Sequence, residues 1–383
     1  MAKYVASHLK DMNRKIVYKL ISSIGEISRA EISRQTGISS PTVLKITNFL
    51  LQNDFIKEAG EGISHIGRKP QILKFNPSAA YSIGVDFEGD FLKIGIVDLI
   101  GNVKAFKQIR VSGDFDEIIS KKLYDYIEDI INNEGISKNK ILGIGLGIPG
   151  AIDVVNCIVE FAPLVGIYTR RECKVIIDEL SSKSGLPVFL ENDANAAAIG
   201  EYITRKLSPK CDLAYLSLGT GLGAGLILNG KIRRGIRNSA GEIGYMVFDK
   251  DYHTYKSKAG WLESRINFQA LTEKWEIYKS IETEDKIEDF KNSKDFILLV
   301  DYVASYLGMC IANLNALLDL DMVVIGGVST KRLGLPLIES VKQYMSKLRL
   351  LDIECELQSC EEPGIVGAAS ISTNSALDKL LVD

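Results

Sequence analysis

The sequence predicts an α/β protein in which a small helical module with a strand hairpin precedes a larger body of two similar halves. Three observations carry this. The first 76 residues hold three segments of helical periodicity and then two short strand-like runs. From Tyr81 onward, apolar runs of strand length are followed by helical stretches, and the sequence of events occurs twice. Charge divides at the same place. Residues 1–76 carry 12 Lys and Arg against 6 Asp and Glu, a net of +6, and the remainder carries 34 against 43, a net of −9, within the −3 of the whole chain. A basic module on an acidic body is the charge distribution of a nucleic-acid reader joined to something else.

In the module, Ile16, Val17, Leu20, Ile21 and Ile24 fall on one face of a helix over residues 13–24. Ser28 and Glu31 have the spacing of a capping box, so a second helix starts at Ser28 and ends at Gly37. A third follows, with Ser40 as candidate N-cap and Pro41 at the first helical position, where a missing N–H costs nothing. Val43, Ile46 and Leu50 face its interior, which turns Thr42 and Lys45 outward. The runs "FIKEAG" and "QILKFN" read as strands around the basic, glycine-containing loop "EGISHIGRK". Together these make a winged helix-turn-helix spanning residues 1–76. In that arrangement the third helix lies in a major groove with its N-terminal residues nearest the base edges. Ser39, Ser40 and Thr42 are then the groove candidates, Lys45 a phosphate or guanine contact, and Arg34 a further phosphate contact. Arg68 and Lys69, in the loop, suit a narrow A·T-rich minor groove. A trihelical protein-interaction module would show the same helices without needing the wing or the charge.

Composition narrows the class. A chain of 383 residues is long enough for two or three domains with a substantial core. Six cysteines are scattered without CxxC pairing, which argues for reduced thiols and against a disulfide framework or a thiolate zinc site. The N-terminus has no apolar leader-like run, and no uninterrupted apolar stretch reaches the ~18 residues that cross a bilayer. The expectation is a soluble cytoplasmic protein with no membrane partner.

The body opens with "YSIGVDF", "FLKIGIVDL" and "VKAFKQIRV" as successive strands, a helical stretch near 115–133, and "ILGIGLGIPG" as a buried strand. A second round runs from "LAYLSLG" through "GAGLILNGKI" to a long helix near 296–318 and the strand "MVVIGG". The expected units are residues 77–200, joined by a C-terminal helix over 371–383, and residues 201–370, with a cleft between them. Gly145, Gly147 and Gly150 satisfy G-x-G-x-x-G, but Pro149 and the β-rich run after it leave no helix to open a dinucleotide site. "SLGTGLGAG" is either an anion-cradling turn or a tight hairpin without room for side chains. In "FLENDANAAAIGE", Glu191, Asn192 and Asp193 end a strand before an Ala-rich helix. They suit sugar hydroxyls and a general base, or a simple helix cap. The acidic stretch 277–296 reads as a solvated insertion.

Taken in order, "GVDFEGD", "GLGIPGAID", "ENDANAAAIGE", "LSLGTGLGAGLILNGKI", "GEIGY", "GWLES", "VVIGGV" and "GIVGAAS" resemble the ROK family of repressors and sugar kinases across nearly the whole chain. The resemblance implies a duplicated actin-like (ribonuclease H-like) sugar-kinase-type body. It also implies, through the N-terminal module, the repressor branch that includes xylose and N-acetylglucosamine repressors. By position it assigns Asn192 and Asp193 as the sugar-contacting pair, with Asp193 at the place of the kinase base. Glu242 and Glu263 match hydroxyl acceptors, and Gly150 lines the same cleft. Gly219, Thr220 and Gly221 match the second phosphate loop, and Gly326 and Gly327 the adenosine loop.

Two departures from the family pattern set the expected function. The first phosphate loop after Asp86 carries Glu88 and Asp90 where kinase members have Gly and Thr. A carboxylate ~4 Å from a phosphate costs about 4 kcal/mol per charge pair at an effective dielectric near 20, so phosphoryl transfer loses its electrostatic support. The family's metal-site His and Cys are replaced around Tyr245 and Trp261, so no metal and no cofactor are expected. Tyr245 and Trp261 instead either offer an apolar face to a sugar ring or fill the vacated volume. The expected protein is therefore a homodimeric or larger repressor that binds palindromic operator DNA, with a sugar effector in a catalytically disabled cleft. The alternative is an ATP-dependent sugar kinase that retains a DNA-binding module.

Overall fold

The computed structural model describes residues 2–61, 71–88, 91–111, 115–162, 165–254, 259–281, 287–347 and 353–382. The wing candidates Arg68 and Lys69, and Asp90 of the first hairpin turn, lie outside the described residues.

The N-terminal elements are α1 (Ala2–Ile24), β1 (Glu26–Ser28), α2 (Arg29–Thr36), α3 (Ser40–Gln52), β2 (Ile56–Glu61) and β3 (Gln71–Phe75). The strands form an antiparallel sheet in the order β1-β3-β2. Ser28 caps α2 by accepting from the Glu31 amide at 3.2 Å, and Gly37 ends it in the left-handed region at φ 70°. The cap of α3 is Ser39, not Ser40, and Pro41 is the second helical residue. The amides of Thr42 and Val43 both donate to the Ser39 carbonyl at 2.9 Å, which moves the start back by one. Val43, Ile46 and Leu50 are buried as expected. On α1, Ile16 and Ile24 are exposed, and the buried face is Val17, Tyr18 and Ile21. The cause is Tyr18, whose ring takes edge-on contacts with both Phe55 and Phe75 at 5.6 Å and so claims the interior position.

The body is built on two five-stranded sheets. Strands β4 (Tyr81–Glu88), β5 (Phe91–Asp98), β6 (Val103–Arg110), β7 (Ile141–Ile148) and β11 (Val188–Asn192) make the first. Between them come helix α4 (Leu123–Asn133), a small sheet of β8 (Ala151–Asp153), β9 (Ile158–Phe161) and β10 (Arg171–Glu172), and helix α5 (Lys174–Ser184). Helix α6 (Asp193–Thr204) follows β11 directly. The second sheet uses β12 (Leu213–Leu218), β13 (Leu222–Leu228), β14 (Lys231–Ile232), β15 (Met322–Gly326) and β16 (Glu354–Leu357). Within it the chain also forms α7 (Lys294–Leu318), α8 (Val328–Lys347) and, last, α9 (Pro363–Leu380).

The sheet orders, β6-β5-β4-β7-β11 and β14-β13-β12-β15-β16, are the same. In each the first three strands are antiparallel and the last two join in parallel. Ligands in parallel sheets collect at the carboxyl ends of the strands, and here β4, β11, β12 and β15 all end toward the space between the sheets. Helices α6 and α9 fill that interval. Close approach requires glycine: a Cβ on Gly145 would lie 1.8 Å from the Ala368 carbonyl oxygen, and one on Gly225 2.4 Å from that of Ala194.

Helix α9 starts at Pro363, earlier than the expected 371, because Pro363 at its first turn and the alanines after it pack under β4 and β7. Helix α7 is long and apolar enough by length and composition to cross a membrane, with half of its most apolar window buried in the core of the second half. The acidic stretch is not wholly solvated. Tyr278, Ile281 and Ile287 are buried, and the Tyr278 hydroxyl bonds Ser329 at 2.7 Å.

Candidate functional site

A cleft of about 630 Å³ opens between the two sheets. All six sugar candidates line it: Gly150, Asn192, Asp193, Glu242, Tyr245 and Glu263. So do Asp86, Glu88, Gly219, Thr220, Gly221 and Gly327 of the nucleotide-loop set, whereas Gly326 lies just beneath the surface.

Asn192 and Asp193 stand where β11 turns into α6. The Asn192 side chain caps the helix by accepting from the Asn195 amide at 2.9 Å, and its Nδ2 donates to the Gly150 carbonyl at 3.0 Å and to Asp193 at 3.0 Å. The capping and cleft-lining readings of this pair are therefore both met by the same geometry. The Asp193 carboxylate also accepts from the Ala194 amide at 2.8 Å. Burial pushes its pKa up to about 6 against those hydrogen bonds. Glu242 is pushed up to about 7, first by burial and then by Asp193 and Glu263. Glu263 is raised by burial, with the Leu222 amide donating to it at 3.1 Å. Three carboxyls whose pKa values burial raises share this cleft, and a carboxyl in its protonated form can donate to a hydroxyl as well as accept from one, as a polyol requires.

Tyr245 is 56% exposed at the cleft, and Trp261 is not there. Its indole is buried, donates to Asp251 at 2.7 Å and lies under the Arg265 guanidinium at 3.6 Å, with Phe248 and Tyr306 edge-on. Of the two readings for this aromatic pair, Trp261 takes the space-filling one. Asp251 also accepts from Arg265 at 2.7 Å, so the three side chains form one hydrogen-bonded and stacked group. Among the described residues no group of three His, Cys, Asp or Glu is placed to hold a metal.

The other end of the cleft departs from the charge argument in one respect. Glu88 does not face the cleft as a bare carboxylate: Lys93 pairs with it at 2.6 Å and with Glu362 at 2.8 Å. Lys93 is itself nearly buried, which alone would lower its pKa, but Glu88 and Glu362 together outweigh the burial and raise it. Asp86 is held well above the ordinary carboxylate range by burial, then by Glu88 and Asp193. Lys93 and Glu362 carry no local sequence signal for this role. Gly219 donates its amide to the Gly221 carbonyl at 3.0 Å, so the "GTGLG" turn spends that donor on closing a hairpin. Gly326 is glycine for packing: a Cβ there would meet the Tyr215 hydroxyl at 2.1 Å. That hydroxyl donates to Gln358, which also accepts from the Gly327 amide at 3.0 Å.

In the N-terminal module Ser39, Ser40 and Lys45 are exposed, and Thr42 is half-buried with its hydroxyl 2.9 Å from that of Ser39. Arg34 is also exposed, but Glu31 binds its guanidinium at 2.7 and 2.8 Å.

Two sheets of one topology, facing each other across a carboxylate-lined cleft, define a body of the sugar-kinase-like class. The chain belongs to the ROK family, which it matches over residues 82–374. It is 32% identical over 293 residues to the xylose repressor of Bacillus spizizenii, covering 76% of this chain and 74% of that one. To a putative xylose repressor of a Caldicellulosiruptor species it is 30% identical over 336 residues, 83% of each. A glucokinase of Halalkalibacterium halodurans is 29% identical over 71% of this chain and 87% of its own. In fold, a ROK family transcriptional regulator homologous to the Escherichia coli MLC protein covers 98% of both chains with a TM-score of 0.74 at 22% identity. A ROK glucokinase from Streptomyces griseus, solved with glucose and AMPPNP, covers 77% of this chain and 100% of its own, with a TM-score of 0.63 at 23% identity.

Proposed function

We propose that this protein is a sugar-responsive transcriptional repressor whose residues 1–76 form a winged helix-turn-helix. The observation that carries the reading is the N-terminal module itself. The glucokinase fold is contained in 77% of the chain, whereas a transcriptional regulator covers 98%. The extra part is a basic three-helix unit whose third helix starts with Ser39, Ser40 and Lys45 exposed. The xylose repressors among its relatives make D-xylose the first sugar to try.

Sugar lies against Gly150, Asn192, Asp193, Glu242, Tyr245 and Glu263, and its binding changes the angle between the two sheets. As a homodimer, the protein presents two modules to a palindromic, A·T-rich operator, and closure of each cleft alters their spacing. The coupling between sugar and DNA is worth about 1–3 kcal/mol, the usual range for such linkage. The nucleotide end of the cleft does not support phosphoryl transfer. Glu88 and Glu362 already hold an internal cation, Lys93, so that ammonium is not free to neutralise a γ-phosphate.

Fluorescence anisotropy with DNA from upstream of the protein's own gene tests the proposal, with D-xylose and a monosaccharide panel added. Nanomolar binding that weakens or strengthens at least fivefold with one sugar is expected; indifference to every sugar at millimolar concentration would remove the effector from the reading. The glucokinase relatives favour a second reading, sugar phosphorylation. ATP-dependent product formation that Asp193→Asn abolishes would replace the first reading with that one.

A further inference from the structure

Glu191 is 1% exposed, yet it is not left as an isolated buried charge. One carboxylate oxygen accepts from the Asn192 amide at 3.1 Å and from Asn195 Nδ2 at 3.0 Å. The other accepts from the guanidinium of Arg234, from Nε at 3.1 Å and from a second nitrogen. Glu191 belongs to β11 in the first sheet, where it pairs with Gly147, and Arg234 follows β14 in the second. The ion pair therefore bridges the two halves of the body beside the cleft, with Glu191 one residue before the proposed sugar-contacting pair.

The Arg234 loop is fastened to its own sheet at both ends. The Arg233 amide donates to the Leu226 carbonyl at 2.7 Å, and the Ala224 amide donates to the Gly241 carbonyl at 2.7 Å. Within the loop the Ala240 amide donates to the Arg234 carbonyl at 3.0 Å, and Asn238, Ser239 and Ala240 line the cleft just before Glu242. A loop held this way moves with the second sheet. Any rotation of that sheet is thus transmitted to Glu191, and through its two asparagine bonds to the first turn of α6.

We propose that Arg234 is a positioning residue of the sugar site: through Glu191 it sets the separation between Asn192–Asp193 on one wall and Glu242 on the other. This rests on the reading that the cleft binds sugar. A guanidinium suits the task because its planar fork gives two donors in fixed geometry. The spacing it imposes selects among ring sizes and hydroxyl patterns, since a misplaced carboxyl leaves a buried hydroxyl unpaired.

The test uses full-length protein, isothermal calorimetry with D-xylose and D-glucose, and hydrogen–deuterium exchange without sugar. Because Arg234→Gln alone leaves Glu191 as an unpaired buried charge, the informative variant is the double change Arg234→Gln/Glu191→Gln, which folds without one. It is expected to bind the preferred sugar at least tenfold more weakly, with Arg234→Lys recovering part of the loss. Exchange at residues 192–195 and 234–241 is expected to speed up severalfold. A double variant with wild-type sugar affinity overturns the proposal. If the wild-type protein takes up no sugar of the monosaccharide panel, the sugar reading is what fails and the positioning role falls with it; if it binds a sugar and the double variant exchanges no faster, the proposal alone is overturned.

Discussion

The ammonium of Lys15, in the first helix of the chain, lies 2.6 Å from the carboxylate of Asp378 in the last. Next to this pair, Leu377 and Leu381 join Val17, Tyr18, Ile21 and Leu50 in a single buried cluster, and Arg14 donates to the Leu381 carbonyl. The core of the N-terminal module is therefore completed by the C-terminus. Helix α9, about 27 Å long at 1.5 Å per residue, begins at the cleft, where a Cβ on Gly364 would stand 2.3 Å from an Asp86 oxygen. One rigid element thus touches both the proposed effector site and the proposed DNA reader.

Burial and charge make different predictions for that junction. Leu381 is 3% exposed, and Leu381→Ala is expected to cost about 2–4 kcal/mol. The Lys15 and Asp378 side chains are 36% and 69% exposed, so Lys15→Ala is expected to cost less than about 1 kcal/mol. Urea titrations followed by circular dichroism compare the two. Equal losses would mean that the helix is held by the ion pair rather than by its apolar contacts.

Lys93 gives a second contrast. Its removal leaves Glu88, Glu362 and Asp86 facing one another without their shared cation. Lys93→Ala is expected to destabilise the protein by about 3 kcal/mol at pH 8, the cost of stripping one partner from a buried pair. Thermal melts of both proteins at pH 8 check this, and a variant that melts with the wild type contradicts it.

The contrast also marks how far sequence reasoning reached. The paired sheets were legible because strand-length apolar runs carry their own periodicity, and "ENDAN" because its carboxylate and amide groups end a strand before a helix; Glu242 in "GEIGY" was placed only by the family resemblance. Lys93 with Glu362 and Arg234 with Glu191 were not legible. These partners lie 269 and 43 residues apart, and no local pattern announces a long-range ion pair. The buried face of α1 was misread for a related reason: Phe55 and Phe75, distant in sequence, decide that Tyr18 goes inward. For Trp261 the sequence left two readings open, a face for a sugar ring or a filler of volume, and the enclosure by Asp251 and Arg265 decides for the second.

The cleft carboxyls set a pH dependence with a definite sign. Unfolded Asp and Glu titrate near ~3.9 and ~4.3, whereas Asp193 is raised to about 6 and Glu242 to about 7. Between those values the folded protein holds more protons than the unfolded chain, so stability is full below about pH 4 and falls as pH rises through the folded values. Asp193→Asn and Glu242→Gln remove this penalty. Each is expected to raise stability by about 3 kcal/mol at pH 8, to give no gain at pH 4, and to weaken sugar binding. Calorimetric melts across pH 4–8 measure it; variants less stable than wild type at pH 8 would mean that these carboxyls are ionised without penalty in the cleft.

On the DNA side, exposure separates residues that the sequence could only group. Lys45 is exposed on α3 with its ammonium available to a phosphate, so Lys45→Ala is expected to weaken operator and random DNA alike. The slope of log affinity against log salt should fall by about 0.9, one phosphate contact. Thr42 sits in the first turn, its hydroxyl oriented by Ser39. Thr42→Ala is therefore expected to relax preference at one base pair by about 1 kcal/mol and leave the salt slope unchanged. Arg34 is held by Glu31 at 2.7 and 2.8 Å, and a guanidinium already neutralised has little to gain from a phosphate. Arg34→Ala is expected to change affinity less than twofold. Anisotropy titrations from 50 to 300 mM salt distinguish the three, and a loss at Arg34 larger than at Lys45 would move the DNA contact from α3 to α2.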